Sequence, residues 1–249
     1  EAYSVTVSNV TDISGNAMAQ VTRNFNGSPA SVTPISEVQD WDDQGYSPLW
    51  GQQVSVVGFA TVRPGVFQPD RTNIYIQDTD DWGLNIYSPD LMPFPALEGD
   101  LLLCSGLVVE YRSVDSNDPW ATPAGSSTEI SDAIITVLAR GFDAIEPEML
   151  RTGEIGSERR EGTLVRTKGV VVSVEGFAIY IDDGSGAAQV YQNFTDLDFS
   201  GYALGDSLDV TGLVLQYDYT DPYLDGYELA PRYDSDIIKL GSAGEGTAS

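Results

Sequence analysis

Five short blocks of this 249-residue chain occur twice, in the same order. Gly51-Gln52-Gln53-Val54-Ser55-Val56-Val57-Gly58 answers Gly162-Thr163-Leu164-Val165-Arg166-Thr167-Lys168-Gly169 at an offset of 111, and Ile74-Tyr75-Ile76-Gln77-Asp78 answers Ile179-Tyr180-Ile181-Asp182-Asp183 at 105. Gly99-Asp100 with Gly106-Leu107-Val108 and Tyr111 answers Gly205-Asp206 with Gly212-Leu213-Val214 and Tyr217 at 106. Glu129-Ile130 and Ile134-Ile135 correspond to Glu228-Leu229 and Ile237-Ile238. Such a pattern means two copies of one structural unit, with the changes of offset confined to loops.

Each copy reads as five strands. Residues 53–64, 72–78, 83–88, 101–112 and 133–139 alternate or run apolar and are rich in Val, Ile and Tyr; so do 163–175, 177–183, 187–192, 207–218 and 234–240. A longer connection joins the third and fourth strands, and Pro93 and Pro95 argue against a long helix there in the first copy. This order predicts a mainly β protein of two tandem five-stranded OB-fold-like Greek-key barrels. The predicted domains are an N-terminal extension, 1–34, a first barrel, 35–139, a linker, 140–161, a second barrel, 162–240, and a tail, 241–249, of Gly/Ser/Ala composition. The extension carries one extra strand, since Tyr3, Val5 and Val7 alternate with polar residues through 3–10, followed by a polar stretch at 24–34.

The segments ISEVQ, SPLWGQQVSVVGFATV, IYIQD, LEGDLLLCSGLVVEY and TEI, matched by GTLVRTKGVVVSVEGFAIYIDDGSG, LGDSLDVTGLVLQY and YEL, resemble the tandem OB-like modules of secreted bacterial proteins. Such modules accompany extracellular nucleases and surface-anchored multidomain proteins. The resemblance covers roughly residues 33–240; it implies the fold and an extracellular setting, while the nuclease chemistry of such proteins lies in other domains.

Composition narrows the function. With no histidine there is no imidazole base and no His-ligated zinc; with Cys104 alone there is no intrachain disulfide and no thiolate cluster. Cys104 aligns with Val210 and is expected to be a small core residue. No Walker or dinucleotide fingerprint is present, and the apolar runs fall far short of the ~20 residues of a membrane helix. A non-enzymatic protein without membrane insertion is expected. The charge is −26, with 38 acidic groups, 25 of them Asp, against 12 basic ones, which disfavours nucleic acid as a partner and suits a saline or extracellular setting. A chain that starts at Glu1 fits a mature terminus left by signal-peptide removal.

Three groups of residues stand out. Tyr75 and Tyr180, each between two isoleucines, point away from the isoleucine face and form an alternative ligand face for nucleic acid or glycan, with Phe67, Tyr87 and Tyr191 near. Asp78, Asp80 and Asp81, and Asp182 and Asp183, are the oxygen donors best placed to hold a structural Ca2+, with further acids at Asp40, Asp42, Asp43, Asp218, Asp221 and Asp225; no cofactor is otherwise required. The strand carrying Tyr3, Val5 and Val7 is a donor for strand addition between subunits, and Arg159 and Arg160 are expected to dock on a neighbour's acidic surface. The reading is therefore an extracellular structural or interaction protein, a self-assembling homo-oligomer or polymer, with an accessory nucleic-acid- or glycan-binding module as the alternative.

Overall fold

The computed structural model describes residues 2–8, 11, 15–17, 19–26, 31–92, 96–111, 127–192, 195–218, 220 and 222–242. The chain divides into two compact units, Glu1–Ser31 and Val32–Ser249. In the first, β1 (Ala2–Val7) pairs antiparallel with β2 (Val21–Asn26), Tyr3 opposite Phe25 and Val5 opposite Arg23. The extension thus holds two strands rather than one, and one edge of β1 is already occupied. The second was hidden because Arg23, Asn24 and Asn26 dilute the apolar alternation of Val21 and Phe25. The side chains of Tyr3, Val5 and Val7 lie outside the described residues, as do Pro93, Pro95, Asp221 and the tail beyond 242.

The second unit contains two barrels with the same connectivity. The first comprises α1 (Ile35–Val38), β3 (Gln53–Val62), β4 (Thr72–Gln77), β5 (Gly83–Ser88), β6 (Leu101–Tyr111) and β7 (Ser127–Ala139). Its strands close as β3-β4-β5-β7-β6, with β5 and β7 parallel and the other pairs antiparallel. The second barrel follows β8 (Glu148–Leu150) and comprises β9 (Leu164–Glu175), β10 (Ala178–Asp182), β11 (Ala188–Tyr191), β12 (Ser207–Gln216), β13 (Tyr227–Ala230) and β14 (Ile237–Gly241). The ring β9-β10-β11-β13-β12 repeats the first, and β12 returns to β9.

Closure lies elsewhere than expected. The predicted fifth strands, 133–139 and 234–240, continue past the closing segments, which pair as Asn85 with Glu129, Ile86 with Ile130 and Val190 with Leu229. In the first barrel both jobs fall to the single strand β7, which turns at Asp132, where φ is +51° and a short polar side chain is tolerated. In the second, Pro231 cannot donate to the ladder, and a 3-10 turn at Asp234–Asp236 separates β13 from β14.

The predicted linker 140–161 is also part of a barrel. β8 lies parallel on β9, Glu148 opposite Val165, and Leu150 and Ile155 enter the second core. The approach to the first barrel is analogous: Thr33 N–H donates to Ser55 O at 2.7 Å, and Ile35 and Val38 of α1 enter its core. Inward layers follow strand alternation, with Val56, Ile74, Ile76, Leu84, Ile86, Leu102, Cys104 and Val108 in the first core, and Val165, Ile179, Ile181, Val190, Leu208, Val210 and Val214 in the second. Cys104 is fully buried, and desolvation pushes its thiol up to about 12. No helix among the described residues is long and apolar enough to cross a membrane.

Candidate interaction surfaces

The barrels meet along a seam with its own apolar core. Val62, Phe67 and Tyr75 of the first barrel pack with Leu164, Leu213 and Ala230 of the second. Polar groups lock the register: Leu164 N–H donates to Gln77 Oε1 at 2.8 Å, Gln39 Nε2, which also donates to Gly83 O of its own barrel, donates to Glu161 O at 3.4 Å, and Arg232 Nη1 donates to Thr61 O at 2.6 Å. Backbone approaches backbone so closely at Gly83 that a Cβ there would stand 2.1 Å from Gly162 O. Only glycine fits that contact.

Arg159 and Arg160 are both engaged within the chain. The Arg159 guanidinium lies 3.8 Å above the Trp82 ring and donates to the carbonyls of Asp81 and Asp80 at 2.7 and 3.0 Å. Arg160 pairs with Glu148, its Nη2 donating at 3.2 Å. Arg159 therefore joins the two barrels across the seam, and Arg160 fastens the segment around β8.

Tyr75 is likewise engaged within the chain. It is only 8% exposed, and it lies in the seam. Alternation did turn it away from Ile74 and Ile76, but the surface it reached is covered by the second barrel. In an OB-fold the second and third strands form the usual ligand face, so in the first barrel that face is occluded. Its counterpart is open: Tyr180 is half-buried, its hydroxyl donating to Gln189 Oε1 at 3.3 Å, and Gln189 Nε2 donates to Glu228 Oε2 at 3.2 Å. The same rung across three strands, Tyr75–Asn85–Glu129 and Tyr180–Gln189–Glu228, is thus present twice. It ends on a carboxylate in both copies, a poor beginning for a nucleic-acid groove.

Five glutamates in and around the seam carry no ion pair among the described residues: Glu110, Glu129, Glu158, Glu161 and Glu228. Desolvation pushes Glu110 and Glu129 up to about 8 and Glu158 and Glu228 up to about 7. Glu161 is raised well above the usual carboxylate range by desolvation and by repulsion from Glu158 and Glu110. Hydrogen bonds hold them in place. Glu110 accepts from Ser47 N–H at 2.7 Å and Thr128 Oγ1 at 3.0 Å, Glu161 Oε1 accepts from Ser127 Oγ and Thr128 N–H at 2.9 and 3.1 Å, and Glu158 accepts from Tyr227 Oη. No sequence signal identified this group, because its members come from four separate segments.

The aspartates proposed for calcium shape turns. Asp78 Oδ1 accepts from the N–H groups of Asp80 and Trp82 at 3.0 and 2.9 Å, and Asp81 Oδ1 accepts from Gln77 Nε2 at 3.1 Å. Asp182 Oδ1 accepts from Gly184 N–H at 2.6 Å, and Asp183 Oδ1 accepts from Thr152 Oγ1 at 3.0 Å. Among the described residues, no three acidic or thiol side chains are grouped to hold a metal ion.

Two strand edges complete the surface. β14 ends its sheet, and the 132–139 half of β7 pairs only with β6 among the described strands. Ile134 and Leu138 on β7, and Ile238 and Leu240 on β14, are exposed.

No protein-family model matches the chain, and no curated protein sequence matches it. Among solved structures, it is similar to "OBody AM3L09 bound to hen egg-white lysozyme" (22% identity, TM-score 0.32) and "OBody AM1L10 bound to hen egg-white lysozyme" (21%, 0.32), each covering 40% of this chain and 100% of the other. A third, "Structural mimicry for functional antagonism", has 13% identity and a TM-score of 0.34 over 75% of this chain and 92% of the other.

Proposed function

We propose that this protein is a non-enzymatic, extracellular structural or interaction subunit that associates with copies of itself through strand addition. The observation that supports this reading most is the pair of unpaired, apolar edges on β7 and β14. An exposed edge with Ile and Leu side chains is a template for another strand unless something covers it. The β1–β2 hairpin supplies candidate donors, because each strand has one partner and one outer edge. The charge of −26 opposes association at low salt, and a Debye length near ~3 Å at 1 M salt removes most of that repulsion.

Electron microscopy of the full chain and of a Val5→Pro variant in 1 M salt tests the reading. Proline removes an N–H from β1 and is poorly tolerated in a strand. The full chain is expected to form polymers and the variant to stay dispersed. Equal assembly by both removes β1 from the contact, and dispersed monomers of the full chain in calcium and in chelator alike end the reading.

A further inference from the structure

A seam within one chain is also a description of what each barrel offers and accepts. In the first barrel, Thr61, Val62, Phe67 and Tyr75 are buried beneath the second. The corresponding end of the second barrel is bare: Val172 is exposed, Ser173 and Tyr180 are half-buried, and Phe177, in the same β-hairpin connection as Phe67, is 68% exposed where Phe67 is 2%. The opposite surface shows the reverse. Gly162, Leu164 and Leu213 of the second barrel are buried, whereas their counterparts are accessible, Gly51 and Gln53 exposed and Leu107 half-buried, with Trp50 beside them 41% exposed. The two sites share their backbone geometry, since Gly162 N–H donates to Val214 O at 2.8 Å and Gly51 N–H donates to Val108 O at 2.9 Å. A Cβ on Gly51 would meet nothing within 4 Å, while one on Gly162 would meet Gly83 at 2.8 Å.

We infer that the face formed by Val172, Ser173, Phe177 and Tyr180 receives the first barrel of a second copy of this chain, through the surface around Trp50, Gly51 and Leu107. The proposal rests on the self-association reading and adds a second contact to it, assembly requiring both the strand addition and this interface. Each chain then carries one vacant acceptor and one vacant donor, displaced from each other, so the contact is head-to-tail and open-ended. Exposed aromatic and aliphatic side chains on both surfaces supply the apolar centre of such an interface. The intermolecular contact differs from the seam in several respects. Ser173 and Gln53 stand where the seam has Val62 and Leu164, and Phe177 lies on a two-residue turn, whereas Phe67 lies in the longer 63–71 connection. Ala187 stands where the first barrel has Gly83, so its methyl group holds the incoming barrel farther off than in the seam.

A complementation experiment tests this. Phe177→Asp disables the acceptor and Trp50→Asp the donor; both positions are exposed, and circular dichroism checks that each variant folds. In sedimentation velocity at 1 M salt, the full-length chain is expected to form a ladder of oligomers. Each variant alone is expected to be monomeric, and their equimolar mixture to form a heterodimer and nothing larger. Oligomers of Phe177→Asp like those of the parent chain, or a mixture that stays monomeric, overturn the interface. If Phe177→Asp assembles normally while Val5→Pro does not, self-association stands and this interface alone falls. If the parent chain is monomeric throughout, both fall.

Discussion

The two barrels share strand order, rung and turn positions, yet they treat the same surfaces differently. On the outer face of β3 and β6 the first barrel places Ser55, Val57, Leu103 and Ser105; on β9 and β12 the second places Arg166, Lys168, Asp209 and Thr211. Asp209 is held by Arg166 at 2.6 Å and Lys168 at 3.1 Å, and the side-chain hydrogen bond from Arg166 lowers its pKa. On the β4–β5 face the contrast lies in context: the tyrosine at the start of the rung is sealed under a neighbour in the first barrel and half-open in the second. One repeat unit can therefore present two surfaces, because inward positions are constrained by close packing and outward positions only by what lies against them.

The largest effect expected from this contrast is at the glycine contact. Gly83→Val forces a side chain into the backbone of Gly162 and is expected to cost about 3 kcal/mol or more. Its counterpart Ala187→Val meets solvent and should stay within ~0.5 kcal/mol. Urea denaturation of both variants measures the difference, and equal losses would remove the seam as the distinguishing feature. Next, Tyr75→Ala should destabilise by about 3 kcal/mol, as removal of a buried aromatic does. Tyr180→Ala should cost less than ~1 kcal/mol because the ring is half in water already.

The unpaired glutamates give the seam a pH dependence. A carboxyl whose folded pKa lies above its unfolded value of 4.5 favours folding fully below that value, and the contribution is lost as pH rises through about 7 and 8. Melting temperature should thus fall between pH 5 and pH 8, by an amount on the order of 2 kcal/mol in stability. The double variant Glu158→Gln/Glu161→Gln should flatten that slope; an unchanged slope would assign it to general charge repulsion instead. A smaller effect concerns the outer face. Asp209→Ala leaves Arg166 and Lys168, both partly exposed, without their partner and should cost about 1 kcal/mol, less in 1 M salt.

Much of the fold was legible because β-strand burial has a strict period of two. Ile74, Ile76, Ile179 and Ile181 announce an inward face, and Cys104 opposite Val210 in the repeat was identifiable as core. The closing strands were displaced because Glu129 and Glu228 sit on them as buried carboxylates, which polarity alone assigns to loops. From sequence, Arg159 and Arg160 are assigned to docking on a neighbour and Tyr75 to a ligand face, whereas their partners here lie in another barrel or another segment of the same chain.

By itself, the sequence determined that there are two copies of one strand program, which residues point into each barrel, and that the surface is strongly acidic. All three are properties of residue type and local alternation, which act over a few residues at a time. Only the tertiary structure decided which copy of the tyrosine face is covered and where the linker arginines bind. It also brought glutamates from four segments together, and left the Phe177 and Trp50 surfaces bare. The cause is geometric: outward positions acquire their meaning from contacts between residues roughly 80 to 170 positions apart, as in Arg159 with Asp81 and Arg232 with Thr61, and no local periodicity encodes such a meeting.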